Sequence, residues 1–147
     1  MVGLAAKRVH RGAAFGDLDN DGDIDAVVTV LNGKPVVLRN DLEKRGAWIA
    51  FELEGRASNR SAYGALVKIR CGKVEQIAEC QPGSSFQCSN DPRVRFGVGD
   101  AGQVDELEIR WPSGRVENAK NLPVDRVHKR VEPQAADSKA NDPNKDK

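Results

Sequence analysis

Asp17-Leu18-Asp19-Asn20-Asp21-Gly22-Asp23-Ile24-Asp25 runs directly into Ala26-Val27-Val28-Thr29-Val30-Leu31, so five carboxylates within nine residues meet a β-branched, apolar run. Five like charges this close repel one another unless a hard cation sits among them. Oxygen ligands at every second position are what Ca²⁺ prefers. The apolar run has the composition of a strand buried on both faces. Upstream, Ala13-Ala14-Phe15-Gly16 makes a short apolar strand that delivers the chain into the acidic loop.

The loop opens with the Asp-x-Asp-x-Asp-Gly spacing of an EF-hand, but it departs from one in two ways. Position twelve, where a bidentate Glu is required, falls on Val28 inside the apolar run. The flanks also read as strands and not as helices. The last acid is Asp25, at position nine, so the loop is shorter and closes against a strand. The expected ligands are side-chain oxygens of Asp17, Asp19, Asp21 and Asp25 and the main-chain carbonyl of Asp23, with Gly22 permitting the sharp turn. A solvated acidic turn is the plain alternative, although ordinary turns do not place acids at alternate positions. Mg²⁺ is disfavoured because it demands a tighter octahedral shell and keeps more water. Without a second lobe of ligands the loop belongs with the weak extracellular sites, at about 10⁻⁴ to 10⁻³ M.

Beyond the loop, Asn32-Gly33 predicts a two-residue hairpin turn that sets Leu31 opposite Lys34 and Val27 opposite Leu38. The polar stretch Asn40 to Gly46 marks a boundary. Ile49, Phe51 and Leu53 then alternate with polar or small residues, the period of a half-buried strand. Val67, Ile69 and Cys71 share a face, and Gly72-Lys73 turns the chain so that Val74, Ala78 and Cys80 lie opposite, with Gln76 facing Ile69. Val94, Phe96 and Val98 form another inward set, as do Leu107, Ile109 and Trp111, followed by a reversal at Pro112-Ser113-Gly114. A last strand is expected over Arg126 to Val131. Short strands separated by turn signals predict an all-β chain: an antiparallel β-sandwich or barrel-like domain over 46–132, preceded by a β-hairpin unit over 1–45. From Pro133 the chain lacks apolar anchors, and 133–147 is expected to be a disordered tail.

The 147 residues suffice for one ordinary domain, or for a small one plus part of another. Lys and Arg number 23 against 22 for Asp and Glu, so no net field favours nucleic acid or an anionic membrane as partner. No apolar run is long enough to span a membrane, and the apolar start is too short for a signal peptide. Three cysteines cannot all pair. Cys71 and Cys80 lie too far apart along their face for a bridge; Cys80 with Cys88 remains open, and buried or free thiols are favoured.

The stretch from Phe15 to Val28 resembles the calcium-loop repeat of integrin-type β-propellers, the FG-GAP or VCBS repeat. One copy is present, whereas such a propeller needs about seven blades, so 1–45 is expected to be the last piece of a larger propeller. Residues 47–132 resemble the ASPIC/UnbV domain that follows such repeats in proteins similar to cartilage acidic protein. The residues that carry this resemblance are Asn59-Arg60-Ser61-Ala62-Tyr63-Gly64-Ala65, Gly83-Ser84-Ser85-Phe86, Asp91 to Gly99 and Trp111-Pro112-Ser113-Gly114-Arg115. The resemblance implies a secreted or surface-exposed protein that binds calcium and a partner; whether that partner is a protein or a glycan is left open by it.

The leading expectation is a calcium-binding extracellular or surface interaction module whose metal is mainly structural. Carbohydrate recognition is the alternative, with Trp48, Tyr63 or Trp111 as stacking platform. Trp111 shares the alternation of core residues, so Tyr63 is the better ligand-binding candidate. An enzyme is not expected, because His10 and His128 stand without a nucleophile signature and Gly83-Ser84-Ser85 is not a nucleophile elbow. Asn59-Arg60-Ser61 is formally a glycosylation sequon.

Overall fold

The computed structural model describes residues 7–41, 46–81, 83 and 86–134. Among them the chain forms strands and no helix. In chain order they are β1 (His10–Gly16), β2 (Asp25–Val30), β3 (Val36–Leu38), β4 (Ala47–Glu54), β5 (Leu66–Cys71), β6 (Val74–Glu79), β7 (Val94–Gly99), β8 (Gln103–Arg110), β9 (Val116–Pro123) and β10 (Arg126–Val131). They make three sheets, ordered β1-β2-β3, β10-β4-β7 and β6-β5-β8-β9. Most of the expected tail and residues 42–45 of the expected boundary lie outside the described residues, as do Pro82, Ser84 and Ser85 of one expected turn.

The second and third sheets bury one continuous core between them. Ile49, Phe51 and Leu53 of β4 and Val94 and Phe96 of β7 face Val67 and Ile69 of β5 and Val104, Leu107 and Ile109 of β8, with Leu122, opposite Val104 near the start of β8, and Trp111, just past its end, in the same core. Phe51 meets Phe96 edge to face at 6.2 Å between centroids, and its ring also stacks on His128 at 5.9 Å. The period-2 alternation read along these strands is the reason they pack this way, since each presents its apolar set to the opposing sheet. The β5–β6 hairpin has the expected register, with Cys71 opposite Val74, Ile69 opposite Gln76 and Val67 opposite Ala78. Gly72 adopts a φ of 58°, which its missing Cβ makes inexpensive.

Four expectations need correction. β10 pairs with β4 in parallel, Arg126 beside Ile49 and Val131 beside Glu54, so the sandwich is not wholly antiparallel. Between β4 and β10 the chain visits the other sheet twice, as β5–β6 and as β8–β9, with β7 in between, and a connection this long permits a parallel partner. The β2–β3 register is shifted by one residue from the Asn32-Gly33 expectation: Val27 faces Val37 and Ala26 faces Leu38. A type I′ turn needs positive φ at both central residues, but here only Asn32 has it, at 55°, and the turn closes with Gly33 N–H donating to Val30 C=O at 3.3 Å. β2 is not buried on both faces, because Thr29 is exposed and only Asp25 and Val28 are buried. β1 begins earlier than its apolar residues, at His10, and carries a bulge between His10 and Ala13.

The β1 edge is tied to the sandwich. Asp91 N–H donates to Phe15 C=O at 2.9 Å, and Phe15 N–H donates to the Asn90 side chain at 3.0 Å. No described helix is long and apolar enough to cross a membrane.

Candidate metal loop and its docking surface

The acidic loop leaves β1 at Gly16 and enters β2 at Asp25, so both flanks are strands, as the missing Glu at position twelve implies. Asn20 (φ 62°) and Gly22 (φ 101°) take left-handed conformations that fold the loop back on itself. Asp17 organises this fold. Its Oδ1 accepts the N–H of Asp21 at 3.0 Å, its Oδ2 accepts that of Gly22 at 3.1 Å, and its side chain is fully buried. Asp21 in turn accepts the N–H of Asp23 at 2.9 Å. As a result Asp17, Asp19 and Asp21 each bring one carboxylate oxygen within 4.8 Å of the others.

Asp25 has a different task. One of its oxygens accepts the N–H of Leu18 at 2.9 Å and the other that of Asn40 at 2.8 Å, which clamps the base of the loop to the chain leaving β3. The loop therefore brings together three of the five acids by their carboxylates, while buried Asp25 is occupied with main-chain donors. The three converging groups are all hard oxygen donors, a set that fits Ca²⁺ and offers nothing to softer metals.

The loop lies against the sandwich. Because Val94 and Phe96 point into the core, Arg93 and Arg95 alternate to the outer face of the second sheet, as Trp48 and Ala50 do on neighbouring β4. Ala50 is fully buried although it points away from the core, which requires cover on that outer face. Arg93 grips loop backbone and side chain, donating to Asp17 C=O at 3.0 Å and to Asn20 Oδ1 at 2.8 Å. Arg95 reaches Asp17 Oδ2 at 3.0 Å and Asp91 Oδ2 at 3.1 Å, with its guanidinium 5.7 Å from the Trp48 ring centre. Gly22 lies flush against the Trp48 indole, where a Cβ would stand 2.1 Å from Nε1.

Arg93 and Asp91 stabilise each other's charged forms. Burial pushes the Asp91 carboxyl upward, but hydrogen bonds from Arg93 and Arg95 outweigh it and hold the pKa below the usual range. The Arg93 pKa is raised, chiefly by its hydrogen bond to Asp91. Arg39 approaches from the open side, its Nε 3.1 Å from Asp19 and 2.6 Å from Asp41.

Arg93, Arg95, Asp91 and Trp48 are the residues that sequence reasoning did not assign to the loop. The available signal was two arginines alternating with core residues, and so facing outward, in a chain whose one dense acidic cluster lacked a counter-charge. Tyr63 is partly exposed, and its N–H and C=O are held by the Asn59 side chain at 2.9 Å each. That use of Asn59 defines the turn that carries the sequon. Trp111 is core, and Trp48 is occupied by Gly22 and Arg95. All three cysteines are free thiols, so Cys80 and Cys88 do not pair. Residues 55–137 match the family described as ASPIC and UnbV. A search of curated proteins returns no match.

Proposed function

The chain belongs to the ASPIC and UnbV family, and from that premise we propose that it is a calcium-binding extracellular or surface interaction module whose metal is structural. The observation that carries the reading is the convergence of Asp17, Asp19 and Asp21 on a loop docked against the sandwich through Arg93, Arg95 and Trp48. In this reading the first sheet is a single FG-GAP-type unit. Bound calcium neutralises the clustered carboxylates and ties the β1 exit to the β2 entry. The chain's own residues supply the frame: Asp17 and Asp25 hold the turn by accepting main-chain N–H groups, and Gly22 lets the turn sit on Trp48. Rigidity gained in the loop is then felt at the β4–β7 face, where a partner surface would be built. Calorimetric titration of Ca²⁺ into the metal-free chain tests this, with Asp19→Ala and Asp21→Ala as variants. Asp19 also meets Arg39 and Asp21 also accepts the Asp23 N–H, but the anchors made by Asp17 and Asp25 remain in both variants, so each should abolish binding by loss of its cluster carboxylate. Equal heats in all three proteins would remove the metal from the account.

A further inference from the structure

Asp17 is a fully buried carboxylate whose only charged partner at hydrogen-bond distance among the described contacts is Arg95, at 3.0 Å. The guanidinium is itself largely covered, and its Nε–H finds no acceptor among the described residues. It therefore reaches the loop more through charge than through a complete set of hydrogen bonds. Arg93 behaves differently, because its loop contacts go to a main-chain carbonyl and an amide oxygen, neither of which a bound cation would neutralise.

We propose that Arg95 is a built-in counter-cation that competes with a divalent ion for Asp17, and so sets the calcium affinity of the loop while holding it closed when no ion is bound. This rests on the calcium reading above. Arg95 donates to the carboxylate that converges with Asp19 and Asp21, and Coulomb repulsion disfavours a dication beside a guanidinium. Arg95 also has somewhere else to be: Asp91 Oδ2 is 3.1 Å away and the Trp48 ring lies beneath its guanidinium, so it stays paired on leaving Asp17. Without ion or arginine, Asp17 would be a buried charge with only two main-chain donors, a costly state. Arg39 is the natural control, since its contact with Asp19 is 62% exposed on the arginine side and shared with Asp41.

The test is calcium titration of the full chain and of Arg95→Met and Arg39→Met, with the melting of each recorded in EDTA. Arg95→Met should bind calcium about tenfold more tightly or better than the parent, and should melt lower than the parent in EDTA. Arg39→Met should stay within about twofold, as a screened surface pair does. If Arg95→Met does not fold without calcium, Arg95→Lys decides: it keeps the charge, so its affinity should remain within about threefold of the parent, and a larger change in either direction contradicts the proposal. Equal or weaker binding by folded Arg95→Met overturns the proposal and leaves the calcium reading standing. No binding by the parent and the variants alike removes both, so the two failures are distinct.

Discussion

Replacing Glu132 by Gln takes the charge from a side chain that accepts five hydrogen bonds in the sandwich. Glu132 is fully buried just past β10. One oxygen accepts the N–H groups of Arg56, Ala57 and Ser58 at 2.7, 2.8 and 2.8 Å. The other accepts the Ser58 hydroxyl at 3.0 Å and the Ser113 hydroxyl at short range. It thus staples the 55–58 turn to the β8–β9 turn and to the end of β10. Burial alone would raise its pKa, but the hydrogen bonds from Ser113, Ser58 and Arg56 outweigh it and pull the carboxyl down from 4.5 to about 2. A folded pKa below the unfolded one contributes stability that is fully present above about pH 4.5 and is lost as pH falls toward 2. The shift corresponds to at most about 3 kcal/mol at neutral pH. Glu132→Gln should therefore destabilise the chain by about 2 to 4 kcal/mol at pH 7, where the amide also places donors against donors. Urea unfolding of both proteins from pH 2 to 7 measures this. Asp91, Glu54, Asp105 and Glu106 also have lowered pKa values, but they are common to both proteins and cancel in the difference. The difference should shrink steadily as pH falls from 4.5 to 2. A difference that does not change with pH would refute the charged-staple argument, and the absence of any difference at pH 7 would refute the whole role.

Gly22→Ala combines a φ of 101° with a Cβ 2.1 Å from Trp48 Nε1. It should cost roughly 2 kcal/mol or more by backbone strain and loop undocking, and a red shift in tryptophan emission would report the exposure of Trp48. Of the three thiols, Cys80 is buried and burial pushes its pKa up, so a thiol reagent should modify Cys80 last, and only as the fold opens. Early modification of Cys80 would contradict its place in the core. Tyr63→Ala should change stability by less than about 0.5 kcal/mol, because its ring is exposed and the turn is held by Asn59; thermal melting checks this.

Much of the sandwich could be read from alternation. Ile49, Phe51 and Leu53, the Gly72-Lys73 hairpin, the burial of Trp111 and the bounds of β10 are local patterns, and tertiary packing reinforced each of them. β9 was harder to see, because Val116-Glu117-Asn118-Ala119-Lys120-Asn121-Leu122-Pro123 lies at a sheet edge and buries only Leu122. An edge strand needs few apolar residues, so its pattern is faint. The parallel placement of β10 is decided by the chain crossing between sheets, which no window of sequence encodes. At the loop, spacing identified the three acids that converge. It did not reveal that Asp25 would turn to the N–H groups of Leu18 and Asn40, since that depends on where the chain leaves β3.

Calcium bound at the loop, as proposed, should stabilise the fold. Chemical unfolding of the full chain in EDTA and in 10 mM calcium measures that gain directly. For a site of about 10⁻⁴ M, mass action predicts about 2.7 kcal/mol of added stability at that concentration. This gain is expected in the wild type and should be lost in the Asp19→Ala, Asp21→Ala double variant. Identical stability with and without calcium, or an equal gain in the double variant, would contradict the calcium reading.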